Sequence, residues 1–220
     1  MRKPAILLCI TLQVFFISCT RMPLLSSMLD SSAENGADET SLRDDFSDSK
    51  SGWEHIQIDE GTAEYVGETY QITVNVPNTD IFTTYNRIFV NSEVTVRAAQ
   101  IQGSDNNNFG LICRFQDSEN FYAGQISSDG LAGIFKIEEG NYQLLGHQSM
   151  VPVSAIMGGG GENEIWFECV ETTLALAVNG ELVDTQKDDT FKSGEVGLIA
   201  GTIDGNTGIF QFDDFKAFPR

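Results

Sequence analysis

Thr173-Leu174-Ala175-Leu176-Ala177-Val178-Asn179-Gly180-Glu181-Leu182-Val183 decides the fold class. Side chains of Thr173–Val178 fall alternately on two faces, the period of a strand, and Asn179-Gly180 then separates that run from a second apolar one. Asn-Gly between two such runs is the strongest short-range signal for a hairpin, because a type I′ turn needs positive φ at both central residues. The same period of two recurs in Glu93–Arg97 and in Phe109–Phe115. Turn-forming clusters punctuate the chain at short intervals: Asp117–Asn120, Asp129-Gly130, Glu139–Asn141 and Asp204–Asn206. No stretch carries the 3.6-residue period with helix caps. About a dozen short strands at this spacing predict an all-β protein, an antiparallel sandwich or barrel.

Ahead of this region the pattern changes. Met1-Arg2-Lys3 is basic, Ala5–Ile17 is apolar apart from Thr11 and Gln13, and Ser18-Cys19 follows. A basic start, a short apolar core and a small residue before the cut describe a secretory signal peptide. The run is shorter than the roughly 18–20 residues that span a bilayer. Cysteine directly after the small residue resembles the lipobox of bacterial lipoproteins. That resemblance implies cleavage after residue 18, diacylglycerol and palmitate on Cys19, and an extracytoplasmic place in the bacterial cell envelope. Residues 19–42 are polar, acidic and without periodicity, and read as a tether. The folded domain is expected over 43–220.

Formal net charge is −19; loss of residues 1–18 removes Arg2, Lys3 and no acid, which leaves −21. So negative a chain argues against nucleic acid or anionic head groups as partners, since phosphate contacts need Lys and Arg. Cys113 and Cys169 are left as an even pair in an oxidising compartment, where either a disulfide or two buried thiols fits the residues.

Asn108–Asp117 and Asn120–Gly130 are similar to stretches of concanavalin A-like lectin/glucanase domains. The likeness extends to Leu174–Gly180, Gly194–Gly201, the closing Phe212–Phe215 and the opening Asp44–Trp53. More narrowly they resemble the laminin-G-like jelly rolls labelled family 16 glycoside-hydrolase-like or 3-keto-disaccharide hydrolase-like. The resemblance implies a two-sheet antiparallel jelly-roll β-sandwich with one concave face that holds sugars. Retaining glucanases of this fold carry Glu-x-Asp-x-x-Glu, which supplies two carboxylates about 5–5.5 Å apart. The chain lacks it, and also lacks Gly-x-Ser-x-Gly and His-Glu-x-x-His. Glu162, Glu164 and Glu168 read as an outward solvated face, His55 and His147 as surface residues, and Met157–Gly161 as a flexible connection.

The expectation is therefore a non-catalytic, carbohydrate-binding module whose partner is an extracellular glycan or envelope component. A hydrolase or lyase with an atypical site and a structural or adhesion module are the alternatives. Alternation turns Phe109, Leu111, Cys113 and Phe115 to the core, and Ile112, Arg114 and Gln116 away from it. Tyr122 and Ile126 suit the core, leaving Phe121, Ala123 and Gln125 opposite. Arg114, Gln116, Phe121, Gln125 and Lys136 are the candidate ligand-binding residues. Asp-Asp-Phe occurs at 44–46 and again at 213–215, near the two ends of the domain. The spacing of Phe210, Phe212, Phe215 and Phe218 predicts a bulge at the second pair. Asp45, Asp213 and Asp214 are candidate ligands of a structural Ca²⁺, with hydrogen-bonded turn aspartates as the alternative.

Overall fold

The computed structural model describes residues 41–205 and 207–220; the signal segment, Cys19 and nearly all of the tether lie outside them. Sixteen strands and no helix make up the described chain. In order they are β1 (Leu42–Asp44), β2 (Ile56–Ile58), β3 (Gly61–Val66), β4 (Thr69–Val74), β5 (Thr79–Phe89), β6 (Ser92–Gln102), β7 (Asn108–Asp117) and β8 (Asn120–Ser127). They continue as β9 (Leu131–Glu138), β10 (Asn141–Leu144), β11 (Val151–Pro152), β12 (Asn163–Val170), β13 (Thr173–Val178), β14 (Glu181–Lys187), β15 (Gly194–Thr202) and β16 (Gly208–Pro219).

Two antiparallel sheets result. The nine-stranded one runs β14-β13-β12-β6-β16-β4-β3-β2 with β1 beside β16; the seven-stranded one runs β10-β9-β8-β7-β15-β5 with β11 beside β9. This is the expected jelly-roll sandwich. Asn179 and Gly180 both have positive φ, and Val178 pairs with Glu181, so the Asn-Gly hairpin forms as its chemistry requires.

The core lies between the sheets. Val94, Val96, Phe167, Leu176, Phe210 and Phe212 from one side meet Phe109, Leu111, Tyr122, Ile134 and Leu198 from the other. Fully burying one such side chain contributes about 1.5–3 kcal/mol. Cys113 on β7 and Cys169 on β12 form a disulfide across the sandwich, with Cα atoms 6.6 Å apart.

The two Asp-Asp-Phe copies do come together. Strand β1 pairs with β16, Asp44 opposite Phe215, and the register shifts between Asp213 and Lys216, with Asp214 at φ 51°. That bulge returns Phe215 to the core. Trp53 joins the copies, stacking on Phe46 (centroids 5.5 Å) and edge-on to Phe215 (4.8 Å), while its indole N–H donates to Asp44 at 2.9 Å.

Candidate functional site

The seven-stranded sheet is apolar on both faces. Opposite the core, Ile112, Phe121, Ala123, Ile137 and Ile199 form a second buried cluster, with Phe82, Phe115 and Phe135 packed against it. Cross-strand register sets its rows. Phe82, Ile199, Gly110, Gln125 and Gly133 lie side by side on β5, β15, β7, β8 and β9. Gly197, Ile112, Ala123 and Phe135 make the next row. Phe82, Phe115 and Phe121 pack as a trio with centroids 5.4–5.6 Å apart.

Two of the polar groups on this face stand out. Gln125 is only 2% exposed, and its Nε2 has no hydrogen-bond partner. A buried donor left unmade costs about 1–3 kcal/mol, so this amide is poised for an acceptor. The second is Asp80 on β5, whose carboxyl lies over Gly201; a Cβ there would collide with it. Burial raises the Asp80 pKa, with the Tyr142 hydroxyl acting in the opposite sense. Burial also raises the Tyr142 phenol, and the charge of Asp80 adds to this. Asp80 and Tyr142 belong to strands at opposite edges of the sheet, so the sheet curls until its edges face one another. Tyr142 keeps half of its surface open to solvent.

Phe121 and Gln125 thus occupy the expected face, and Ile112 and Ala123 accompany them. Arg114, Gln116 and Lys136 do not, and Phe115 arrives in their place. The cause is a bulge: Arg114 adopts φ 51°, and the β7–β8 register shifts after Cys113. The shift carries Phe115 from the core phase to the opposite face. Arg114, expected on an open sheet face, is instead 1% exposed and acts as a strut. Its guanidinium donates to the carbonyls of Phe191 (2.9 Å), Val90 (3.3 Å) and Cys169 (3.4 Å) and to Asn91 Oδ1 (3.3 Å). Burial lowers its pKa from the usual arginine value, the electrostatic influence of Tyr122 opposing. Gln116 stays at the strand end, where its amide donates to the carbonyls of Arg114 and Ser193.

Lys136 pairs across the strands with Tyr122 and so shares the core-side phase. Its ammonium reaches Glu138 (3.0 Å), Asp188 (3.3 Å) and Thr190 Oγ1 (3.3 Å). Asp188 also accepts from the Tyr122 hydroxyl. Burial works to raise the Asp188 pKa, but hydrogen bonds from Tyr122 and Thr190 and the Lys136 charge together hold it at about 2. A depressed carboxyl contributes stability that is complete above its ordinary value near 3.8 and is lost as pH falls toward 2. Asp188→Asn should therefore shrink the difference between urea midpoints at pH 7 and pH 3. An unchanged difference would refute this reading.

The three candidate calcium ligands all have partners within the protein. Arg97 holds Asp213 (3.1 Å) and Asp214 (2.6 Å), and Asp45 accepts from the backbone and hydroxyl of Ser47 (3.1 and 2.6 Å). Among the described residues, no group of three or more His, Cys, Asp or Glu side chains could hold a metal ion. Arg97 thus bridges the two aspartates and Glu162, one positive charge among three carboxylates. Glu164 and Glu168 lie outward on β12, and Glu162 pairs with Arg97 at 3.5 Å. Phe82 and Asp80 escaped the sequence reading although Asp80, Phe82 and Thr84 share one phase of β5.

No family model matches the chain, and no curated protein is similar to it. Solved structures are. Carbohydrate-binding module CBM66 from Bacillus subtilis superposes with a TM-score of 0.59 at 18% identity, covering 75% of this chain and 94% of that one. The GH43 protein BlXynB from Bacillus licheniformis gives 0.60 at 12%, with 81% of this chain matching 39% of that one. A Bacillus subtilis protein of unknown function with a galectin-like fold gives 0.57 at 10%, covering 80% and 94%. At such identities the likeness is one of architecture: an all-β, two-sheet jelly-roll sandwich.

Proposed function

We propose that the chain is a carbohydrate-binding, non-catalytic module, held outside the cell by lipid on Cys19, with the curled face of the seven-stranded sheet as its ligand site. The observation that carries this reading is Gln125 Nε2, a buried donor without a partner, on the same sheet face as the Phe82, Phe115 and Phe121 trio. Sugars offer hydroxyls that accept from such an amide and donate to a carboxylate, and apolar ring faces that lie on aromatics. A carbohydrate-binding module built on this same fold supports the reading.

Hydrolysis fits less well. Asp80 lies on this face, and Glu195 reaches its rim by accepting from Thr84 at 2.5 Å. Four residues of strand separate Asp80 from Thr84, roughly 13 Å. Glycosidase carboxylates stand about 5–9.5 Å apart.

The test is a glycan array with the full chain, followed by calorimetry on the glycans retained. Gln125→Ala and Tyr142→Ala should each weaken binding by about tenfold or more, as expected for an unmade buried hydrogen bond or a lost aromatic contact. Gln116→Ala should leave binding unchanged. Retention of no glycan, or equal affinity in the Gln125 variant, would end the proposal. Incorporation of labelled palmitate into wild type but not Cys19→Ala tests the anchor separately.

A further inference from the structure

At the lateral edge of the sandwich the segment after β10 meets β14. His147 Nε2 lies 3.2 Å from Asp184 Oδ1, Gln186 Nε2 lies 2.7 Å from the same oxygen, and His147 Nε2 and Gln186 Nε2 are 3.2 Å apart. Gly146, at φ 70°, makes the approach possible, because any Cβ there would run into the Gln186 side chain.

Asp184 is the unusual member. It is buried, its Oδ2 has no hydrogen-bond partner, and among the described residues its ion-pair partner is His147 alone. A buried carboxylate with one oxygen unmatched is costly unless a cation meets it.

We infer that His147, Asp184 and Gln186 form a binding site for a divalent transition-metal ion of the Zn²⁺ type. Donors held at about 2.0–2.2 Å from one ion stand roughly 2.8–3.6 Å apart in octahedral or tetrahedral geometry; the two 3.2 Å separations from His147 fall in that range, and the 2.7 Å one between Gln186 and Asp184 would open slightly around an ion. A half-turn of the Gln186 amide presents its oxygen at the same point. The ion takes the imidazole lone pair and supplies the missing charge to Asp184 through Oδ1. A cleft of about 360 Å³, lined by His147, Val151, Pro152, Leu182 and Thr185 beside Asp184, leaves access for the ion and for water as a further ligand. Mixed imidazole and oxygen donors favour zinc, nickel or copper over magnesium and calcium. Bound metal would pin the 145–150 segment to β14.

The chain has only two histidines, His55 and His147, which makes the test decisive. Zn²⁺ is titrated calorimetrically into the full chain with its free thiols alkylated. One ion per chain is expected, with affinity falling on acidification as the imidazole protonates. His147→Ala should weaken binding by at least about tenfold, as loss of a direct ligand must exceed the tenfold floor for an outer partner. Gln186→Ala should weaken it less, and His55→Ala not at all. Ca²⁺ and Mg²⁺ should not displace the ion. No binding by wild type, binding through His55, or equal binding by His147→Ala would overturn the site and leave a plain hydrogen-bonded trio.

Discussion

Replacing Cys113 and Cys169 together with Ala is expected to lower the free energy of unfolding by about 4 kcal/mol. The cross-link spans 56 residues, and closing a loop of that length removes much of the freedom of the unfolded chain. For a domain of this size that loss corresponds to a fall of roughly 10 °C in Tm. The position makes the effect large in the folded state too. Both sulfurs lie in the core, and the bond ties β7 of one sheet to β12 of the other. Truncation to Ala therefore adds small cavities to the lost constraint. Urea unfolding of the oxidised wild type against the double variant measures the difference. A change below about 1 kcal/mol would show that the cross-link contributes no constraint beyond packing.

Arg114→Met should cost about 3 kcal/mol, the upper end of the range for leaving buried hydrogen-bond partners unmade. Methionine keeps most of the volume but none of the donors. Three carbonyls, of Val90, Phe191 and Cys169, and the Asn91 side chain then lose their shared partner. These acceptors belong to the β5–β6 turn, to the end of β12 and to the segment before β15, so one guanidinium holds three places together. Arg114→Lys should recover only part of the loss, because a single ammonium cannot reach acceptors arranged around a planar fork. Since Arg114 follows Cys113 and bonds the Cys169 carbonyl, the two perturbations share structure. Their combined effect should depart from additivity by about 0.5–3 kcal/mol in a double-mutant cycle. Strict additivity would mean that the strut and the disulfide act independently.

Much of the architecture was legible because its causes are local. Alternation and Asn179-Gly180 depend on neighbouring residues alone, and so does the Phe spacing that marks the bulge at Asp213-Asp214. The site was legible only in part, and the failures share a physical origin. Where one face of a strand is buried and the other wet, polarity reveals the phase; β7, β8 and β9 are apolar on both faces, so it does not. In β9 the residues Phe135 and Ile137 look like the core set, yet they join the second cluster, while Ala132 and Ile134 face the core and Lys136 shares their side. Arg114 failed differently. A non-glycine residue at positive φ inside a strand leaves no compositional mark, and its bulge inverted the phase of everything after it. The pairing of Asp80 with Tyr142 joins distant edges of a sheet, which no window along the chain can see. The cysteine pair remained open until the strands carrying them were placed.

Strand β16 lies between β6 and β4 at the centre of the nine-stranded sheet, and it is synthesised after both. A polypeptide made amino end first must therefore hold β4 and β6 as unmatched edges until residues 208–219 have emerged. Removing that segment would leave two half-sheets with raw flanks, open to joining with other copies. For this domain, the nine-stranded sheet is complete only once β16 has emerged.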